Sequence, residues 1–168
     1  MAKLYLQLLL IKLFLVLLIN SSYPIAIFIG LSDDCTSTNF IIYNLELDLN
    51  IKVKCFDLHN GDKSWMMSME DQAETACEKI NNHPLFSGNF SIIGISQGGL
   101  IARSIIQKCE LKGKVIRFLS FSTPHMGISS LSQFKCGFDC SLSGKMRYNM
   151  NYDEILRYDV GPAGYFKN

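Results

Sequence analysis

Hydrophobic positions in this chain fall into two rhythms. Short apolar runs, Ile25 to Ile29 and Phe90 to Ile93, each end at a glycine, Gly30 and Gly94. Such runs predict strands buried on both faces, as in a parallel sheet. Val115 to Phe121 is a third apolar run, and Ile51 to Phe56, where Lys52 and Lys54 alternate with apolar residues, predicts an edge strand. The second rhythm is helical. Met69, Ala73, Ala76, Cys77 and Ile80 share one face between Ser68 and Asn82, and Ser68 with Asp71 resembles a capping box. Ile101, Ile105 and Cys109 form one stripe from Gly98 to Cys109, and Phe40 to Leu49 predicts a further helix. Strands alternating with helices predict an α/β architecture, a parallel sheet with crossover helices. The 168 residues carry no internal repeat or low-complexity linker and suit one domain.

The beginning of the chain breaks both rhythms. Met1 to Ser22 places a lysine near the start, then a leucine-rich stretch, then small polar residues ahead of Tyr23. This is the pattern of a secretory signal peptide, cleaved near Asn20 to Ser22. The alternative is a membrane anchor, but Lys12 shortens the stretch below the roughly 20 apolar residues that a spanning helix needs. The remainder, from residue 23, is expected to have no stable membrane span and to fold in an oxidising compartment, where its six cysteines can form disulfides. A zinc site is not expected, because no Cys-x-x-Cys occurs and the histidines stand apart from the cysteines. A formal charge of +1 with scattered Lys and Arg leaves no footprint for nucleic acid. Asn89-Phe90-Ser91 matches the N-glycosylation acceptor, as does Asn20-Ser21-Ser22, although Asn89 adjoins a predicted buried strand that could shield it.

The chemistry gathers at Gly94-Ile95-Ser96-Gln97-Gly98. In G-x-S-x-G the two glycines allow a sharp strand-to-helix turn that holds the serine hydroxyl exposed. Here a strand-like run precedes the motif and a helical pattern follows it, which separates it from a chance pentapeptide in an ordinary turn. Ser96 is therefore the candidate nucleophile. A serine hydroxyl needs a base, and the tetrahedral oxyanion needs fixed N–H donors. The backbone N–H of Gln97, at the helix start, is one candidate donor. Leu31, in the loop after the first strand, is the other.

Five segments in order carry a resemblance: G-L-S-D-D-C from Gly30, G-I-S-Q-G-G-L from Gly94 with Arg103 one turn into its helix, Cys109 closing that helix, F-S-T-P-H-M-G from Phe121, and G-P-A-G-Y-F from Gly161. Together they resemble palmitoyl-protein thioesterases, lysosomal or secreted α/β-hydrolases that remove fatty acyl groups from cysteine thioesters. The resemblance runs from about Pro24 to Phe166. It implies that Ser96 is the nucleophile and that Leu31 and Gln97 supply the oxyanion N–H groups. It also implies disulfides Cys77–Cys109 and Cys136–Cys140. Cys35 matches the first member of an adjacent pair whose second position is Thr36 here, so that vicinal bridge cannot form and the partners of Cys35 and Cys55 stay open. Where the family opens the first-strand loop with His-Gly, this chain has Ile29-Gly30. No cofactor or metal is implied, and the partners implied are S-acylated proteins or peptides in the lysosome or outside the cell.

In this fold the triad aspartate and histidine follow the nucleophile in that order. After Ser96 the chain holds Asp139, Asp153 and Asp159 but a single histidine, His125. His125 belongs to a Ser-Thr-Pro-His-Met-Gly turn directly after the next strand and reads as a loop-packing residue. His59 and His83 precede Ser96 on turns. The resemblance implies that both triad partners lie beyond the position matching Asn168. Residues 23–168 are thus expected to be the N-terminal part of an α/β-hydrolase domain, its sheet incomplete at the C-terminal side and apolar surface exposed. Two other readings stay open. One is a catalytically inactive, truncated paralogue that binds acyl chains or a partner. The other is a lipid esterase, since the elbow chemistry serves esters and thioesters alike.

Overall fold

A computed structural model of the protein describes residues 23–58, 64 and 67–127. Residues 1–22, where a signal peptide is expected, His59, the three late aspartates, and Cys136 with Cys140 lie outside these residues. Four parallel strands, β1 (Ile25–Phe28), β2 (Val53–Phe56), β3 (Asn89–Ile95) and β4 (Lys114–Phe121), form one sheet in the order β2-β1-β3-β4. Helices α1 (Asn39–Leu49), α2 (Met69–Asn81) and α3 (Gln97–Lys108) supply the crossovers. Each lies within two residues of its predicted bounds.

β1 shows why an unbroken apolar run was needed. Its alternate residues point to opposite faces of the sheet. Ala26 and Phe28 enter a core with Phe56, Phe86, Phe90 and Ile92 beneath α2 and α3. Ile25 and Ile27 enter a second core with Ile51, Cys55 and Ile93, against which Ile42, Leu45 and Leu49 of α1 pack. In the first core Phe28 stacks on Phe56 at 5.4 Å between ring centroids, and Phe86 bridges from Phe56 to Phe90 at 5.5 and 5.3 Å. Each such side chain contributes about 1.5–3 kcal/mol by leaving water.

β4 differs from its predicted character as a further apolar strand. Its residues alternate between half-buried and exposed, and Ile116 and Phe121 keep 37% and 50% of their surface accessible. The cause is position: β4 pairs with β3 along one edge, and among the described residues no strand lies on its other edge. Ile116 also bulges from the ladder, because Phe90 and Ser91 pair with Val115 and Arg117. α1 likewise leaves Phe40, Tyr43 and Leu47 exposed while its other face covers the sheet.

Local signals set the helix ends. Ser68 Oγ accepts from Asp71 N at 2.9 Å, the N-cap half of the expected box. α1 stops at Asn50, which adopts φ 50°, and its N–H returns to the carbonyl of Glu46. Cys77 of α2 and Cys109, at the end of α3, form the bridge implied by the resemblance. Beside it Asn81 donates to the Glu110 carbonyl at 3.0 Å and accepts from Lys112 N at 2.9 Å. Cys35 and Cys55, left open by the sequence, pair with each other across 20 residues. Among the described residues no helix is long and apolar enough to cross a membrane.

Replacing Cys77 and Cys109 together by alanine is expected to lower unfolding free energy by roughly 3 to 4 kcal/mol, the chain-entropy value for a loop of this length. Urea denaturation of the folded protein, with and without the pair, measures it.

Candidate active site

In the strand order β2-β1-β3-β4, chain connections leave β1 and β3 in opposite directions along the sheet. A crevice opens outside the carboxyl ends of strands at such a switch point. The loop after β1 and the turn after β3 meet there. A Cβ placed on Gly30 would lie 3.1 Å from Ser96 Cβ and 3.6 Å from its Oγ. The first-strand loop and the candidate nucleophile are therefore neighbours, as the motif requires.

Ser96 sits at φ 53°, ψ −123°. For a residue with a Cβ this backbone costs about 1–3 kcal/mol and persists only where its surroundings enforce it. Several contacts do so. Ser96 N–H donates to the carbonyl of Phe121 at 2.8 Å, fastening the turn to the end of β4, and the Ser96 carbonyl accepts from Gly99 N at 3.1 Å. The motif glycines let the flanks close in. A Cβ on Gly94 would stand 2.7 Å from Gly99 N, and one on Gly98 would stand 2.5 Å from the Ile29 carbonyl oxygen. Gly94 thus admits the helix start to the strand, and Gly98 admits it to the exit of β1. α3 begins at Gln97, so its first-turn N–H groups and the positive end of its dipole open on the crevice beside Ser96.

The loop after β1 turns at Leu31 and Ser32. Asp33 N–H reaches the Gly30 carbonyl at 3.4 Å, and Ser32 takes φ 58°, as at the third position of a type II turn. Ser32 N–H donates to Ser64 Oγ at 2.8 Å. The N–H of Leu31, one residue earlier and next to Gly30, has no acceptor among the described residues. Past the turn, the carboxylate of Asp34 caps the 3-10 turn Cys35–Thr38. The Thr36 hydroxyl first, then the Thr36 backbone N–H, hold its pKa below the ordinary carboxylate value. The Cys35–Cys55 bridge anchors this 3-10 turn to β2.

Neither of the described histidines, His83 and His125, hydrogen-bonds Ser96. His125 Nδ1 faces Arg103 Nη1 at 3.4 Å and Nε2 faces Ser120 Oγ at 2.9 Å. A guanidinium has no acceptor, so Nδ1 takes the lone-pair role and Nε2–H donates to the serine hydroxyl. With its ring edge-on to Phe118, His125 links α3 to β4 and packs its loop. His83 caps the 3-10 turn Pro84–Phe86 and leans on Phe56 and Phe86. Asn89 is exposed at the first position of β3. Among the described residues no group of three or more His, Cys, Asp and Glu is placed to hold a metal ion.

Sequence reasoning missed two polar residues near the crevice, Gln72 and Ser64. Gln72 is buried in α2, its Nε2 donating to the carbonyls of Ser64 and Met67 at 3.0 and 2.9 Å, and its Oε1 accepting from Gln97 Nε2 at 2.8 Å. A glutamine four residues before Ala76, beside the apolar stripe, was the signal available.

The family model described as Palmitoyl protein thioesterase matches residues 24–168. A Schizosaccharomyces pombe protein, palmitoyl-protein thioesterase-dolichyl pyrophosphate phosphatase fusion 1, is 28% identical over 119 residues, covering 67% of this chain and 19% of its own length. In fold, the chain is similar to the Bacillus licheniformis lipase BlEst2. The mature form gives a TM-score of 0.56 at 17% identity over 88% of this chain and 56% of the lipase. The propeptide form gives 0.55 at 18%, over 84% and 31%. The parallel sheet with flanking helices is thus that of an α/β-hydrolase, and the chain spans about a fifth of the curated relative it matches.

Because the strain at Ser96 belongs to the backbone, Ser96→Gly is expected to stabilise the fold by about 1 kcal/mol, the relief of strain less the entropy that glycine adds to the unfolded chain. Ser96→Ala keeps the Cβ and is expected to leave stability unchanged within about 0.5 kcal/mol. Paired urea melts distinguish the two.

Proposed function

This chain belongs to the palmitoyl protein thioesterase family, and on that premise we propose that it carries the nucleophile and oxyanion hole of a serine hydrolase that removes fatty acyl groups from protein cysteine thioesters. The observation that carries the reading is Ser96, held at positive φ between β3 and α3 with the first-strand loop against its side chain. Ser96 Oγ attacks the thioester carbonyl carbon while a general base, which the resemblance puts beyond Asn168, takes the hydroxyl proton. Charge develops on the carbonyl oxygen, and the N–H groups of Leu31 and Gln97 stabilise it. Collapse of the tetrahedral intermediate expels the cysteine sulfur, which leaves with the proton held by the base. Water then attacks the acyl-serine through the same hole, releasing the fatty acid and restoring Ser96. Each oxyanion donor in such a site is worth about 10²–10³ in kcat.

The two disulfides among the described residues suit a protein of the secretory pathway. Lysosomal or extracellular residence, cleavage of the leader and a glycan on the exposed Asn89 belong to the same proposal.

The test uses the full-length protein expressed through the secretory pathway, with an S-palmitoylated peptide as substrate. Ser96→Ala is expected to reduce palmitate release by on the order of 10⁴-fold or more and to abolish labelling by a fluorophosphonate. Undiminished release from the Ser96→Ala protein removes Ser96 from the mechanism. Turnover of a glycerol ester with none of the thioester gives the lipid-esterase reading, and neither turnover nor labelling in the parent gives the acyl-binding one.

A further inference from the structure

The two proposed oxyanion donors sit on different pieces of chain. Leu31 belongs to the turn after β1, and Gln97 opens α3. A hole built from two pieces works only if their separation is held to a few tenths of an ångström, because the donors must meet the charge that develops in the transition state. A hydrogen-bonded path, buried at Ser64, Gln72 and Gln97, joins those two pieces. Ser32, adjacent to Leu31, donates its N–H to Ser64 Oγ. Gln72 Nε2 donates to the Ser64 carbonyl and, with its second hydrogen, to the Met67 carbonyl. Gln72 Oε1 accepts from Gln97 Nε2 at 2.8 Å. Gln72 and Gln97 are each 1% exposed and Ser64 6%.

The chemistry of these groups leaves little freedom. Two carbonyl acceptors on one side of the Gln72 amide fix which end is nitrogen, so its oxygen must face Gln97. Leaving a buried amide unmatched is costly, which resists rotation of either glutamine out of the path. The side chain of Gln97 is therefore tied to α2, while its backbone opens the helix directly after Ser96. Through Ser64 the same α2 glutamine is tied to the turn that carries Leu31.

We propose that Gln72, acting with Ser64, is a positioning residue that sets the spacing of the Leu31 and Gln97 N–H groups and so the strength of the oxyanion hole. The proposal rests on the reading of Ser96, Leu31 and Gln97 given above. The hydrogen bonds of Gln72 go to Ser64, Met67 and Gln97, not to Ser96. Its effect is transmitted through the Gln97 side chain and through Ser64, so it should appear in the transition state and not in substrate binding.

The experiment again uses the full-length protein and an S-acylated peptide, with active sites counted by fluorophosphonate titration so that misfolded material does not enter kcat. Gln72→Leu is expected to lower kcat per titrated site tenfold to a hundredfold with KM unchanged within twofold, and to slow fluorophosphonate labelling by a similar factor. Ser64→Ala, which removes one acceptor and leaves the backbone carbonyl in place, is expected to lower kcat three- to tenfold with the same unchanged KM. If Gln72→Leu does not fold, Ser64→Ala carries the test. A parent protein with Ser96-dependent release, beside variants whose kcat per titrated site stays within twofold or whose loss lies in KM, overturns the positioning role and leaves the Ser96 reading intact. Release that does not depend on Ser96 overturns both.

Discussion

The left-handed backbone at Ser96 is a constraint that other features of this structure satisfy. A residue with a Cβ does not adopt it unaided. The end of β4 holds the Ser96 N–H, the exit of β1 presses on Gly98, and the start of α3 presses on Gly94. Those contacts exist only if β1, β3 and β4 are adjacent and parallel with their carboxyl ends level, which is what the register supplies by pairing Phe28 with Gly94 and Ile95 with Phe121. The two-sided apolar character of β1 follows in turn, since a strand between two neighbours and under helices on both faces has no solvated side.

Seen from this turn, the two disulfides have separate tasks. Cys77–Cys109 joins the two helices that cover one core, at their ends remote from Ser96, and Asn81 reinforces it by holding the α3–β4 connection. Cys35–Cys55 lies on the other face and fixes the chain that leaves the Leu31–Ser32 turn. The bridge adds a covalent tie to a loop that also rests on the Ser64 contact and on packing against Ser96. Where the resemblance implied a bridge to the position now held by Thr36, a longer-range bond reaches the same segment.

Much of this was legible in the sequence because it depends on pattern. Apolar runs ending in glycine marked β1 and β3, three-to-four spacing marked α2 and α3, and Ser68 marked a helix start. The glycines flanking Ser96 announced the close approaches that the coordinates contain. What stayed hidden depends on partners distant in the chain. Nothing local to Cys35 or Cys55 names the other. The positive φ at Ser32 falls on a residue with no glycine signature. β4 carries the apolar content of an inner strand, and only its place in the sheet shows its surface to be half open. Gln72 and Ser64 are ordinary polar letters until α2 packs beside α3 and brings Gln97 within reach.

The sheet also sets a timetable. β1 is an inner strand, yet it is the first of the described strands to be made, and its partner along one edge, β3, lies roughly 65 residues later. At the usual 5–20 residues per second of synthesis, Ile25 to Phe28 wait on the order of 3 to 13 seconds before that partner exists. β2 arrives sooner, and the cysteines that join its segment to the first loop are both present by residue 55. A growing chain can therefore shelter one edge of its most apolar strand, and one of its two faces, well before the serine that the fold displays has been added.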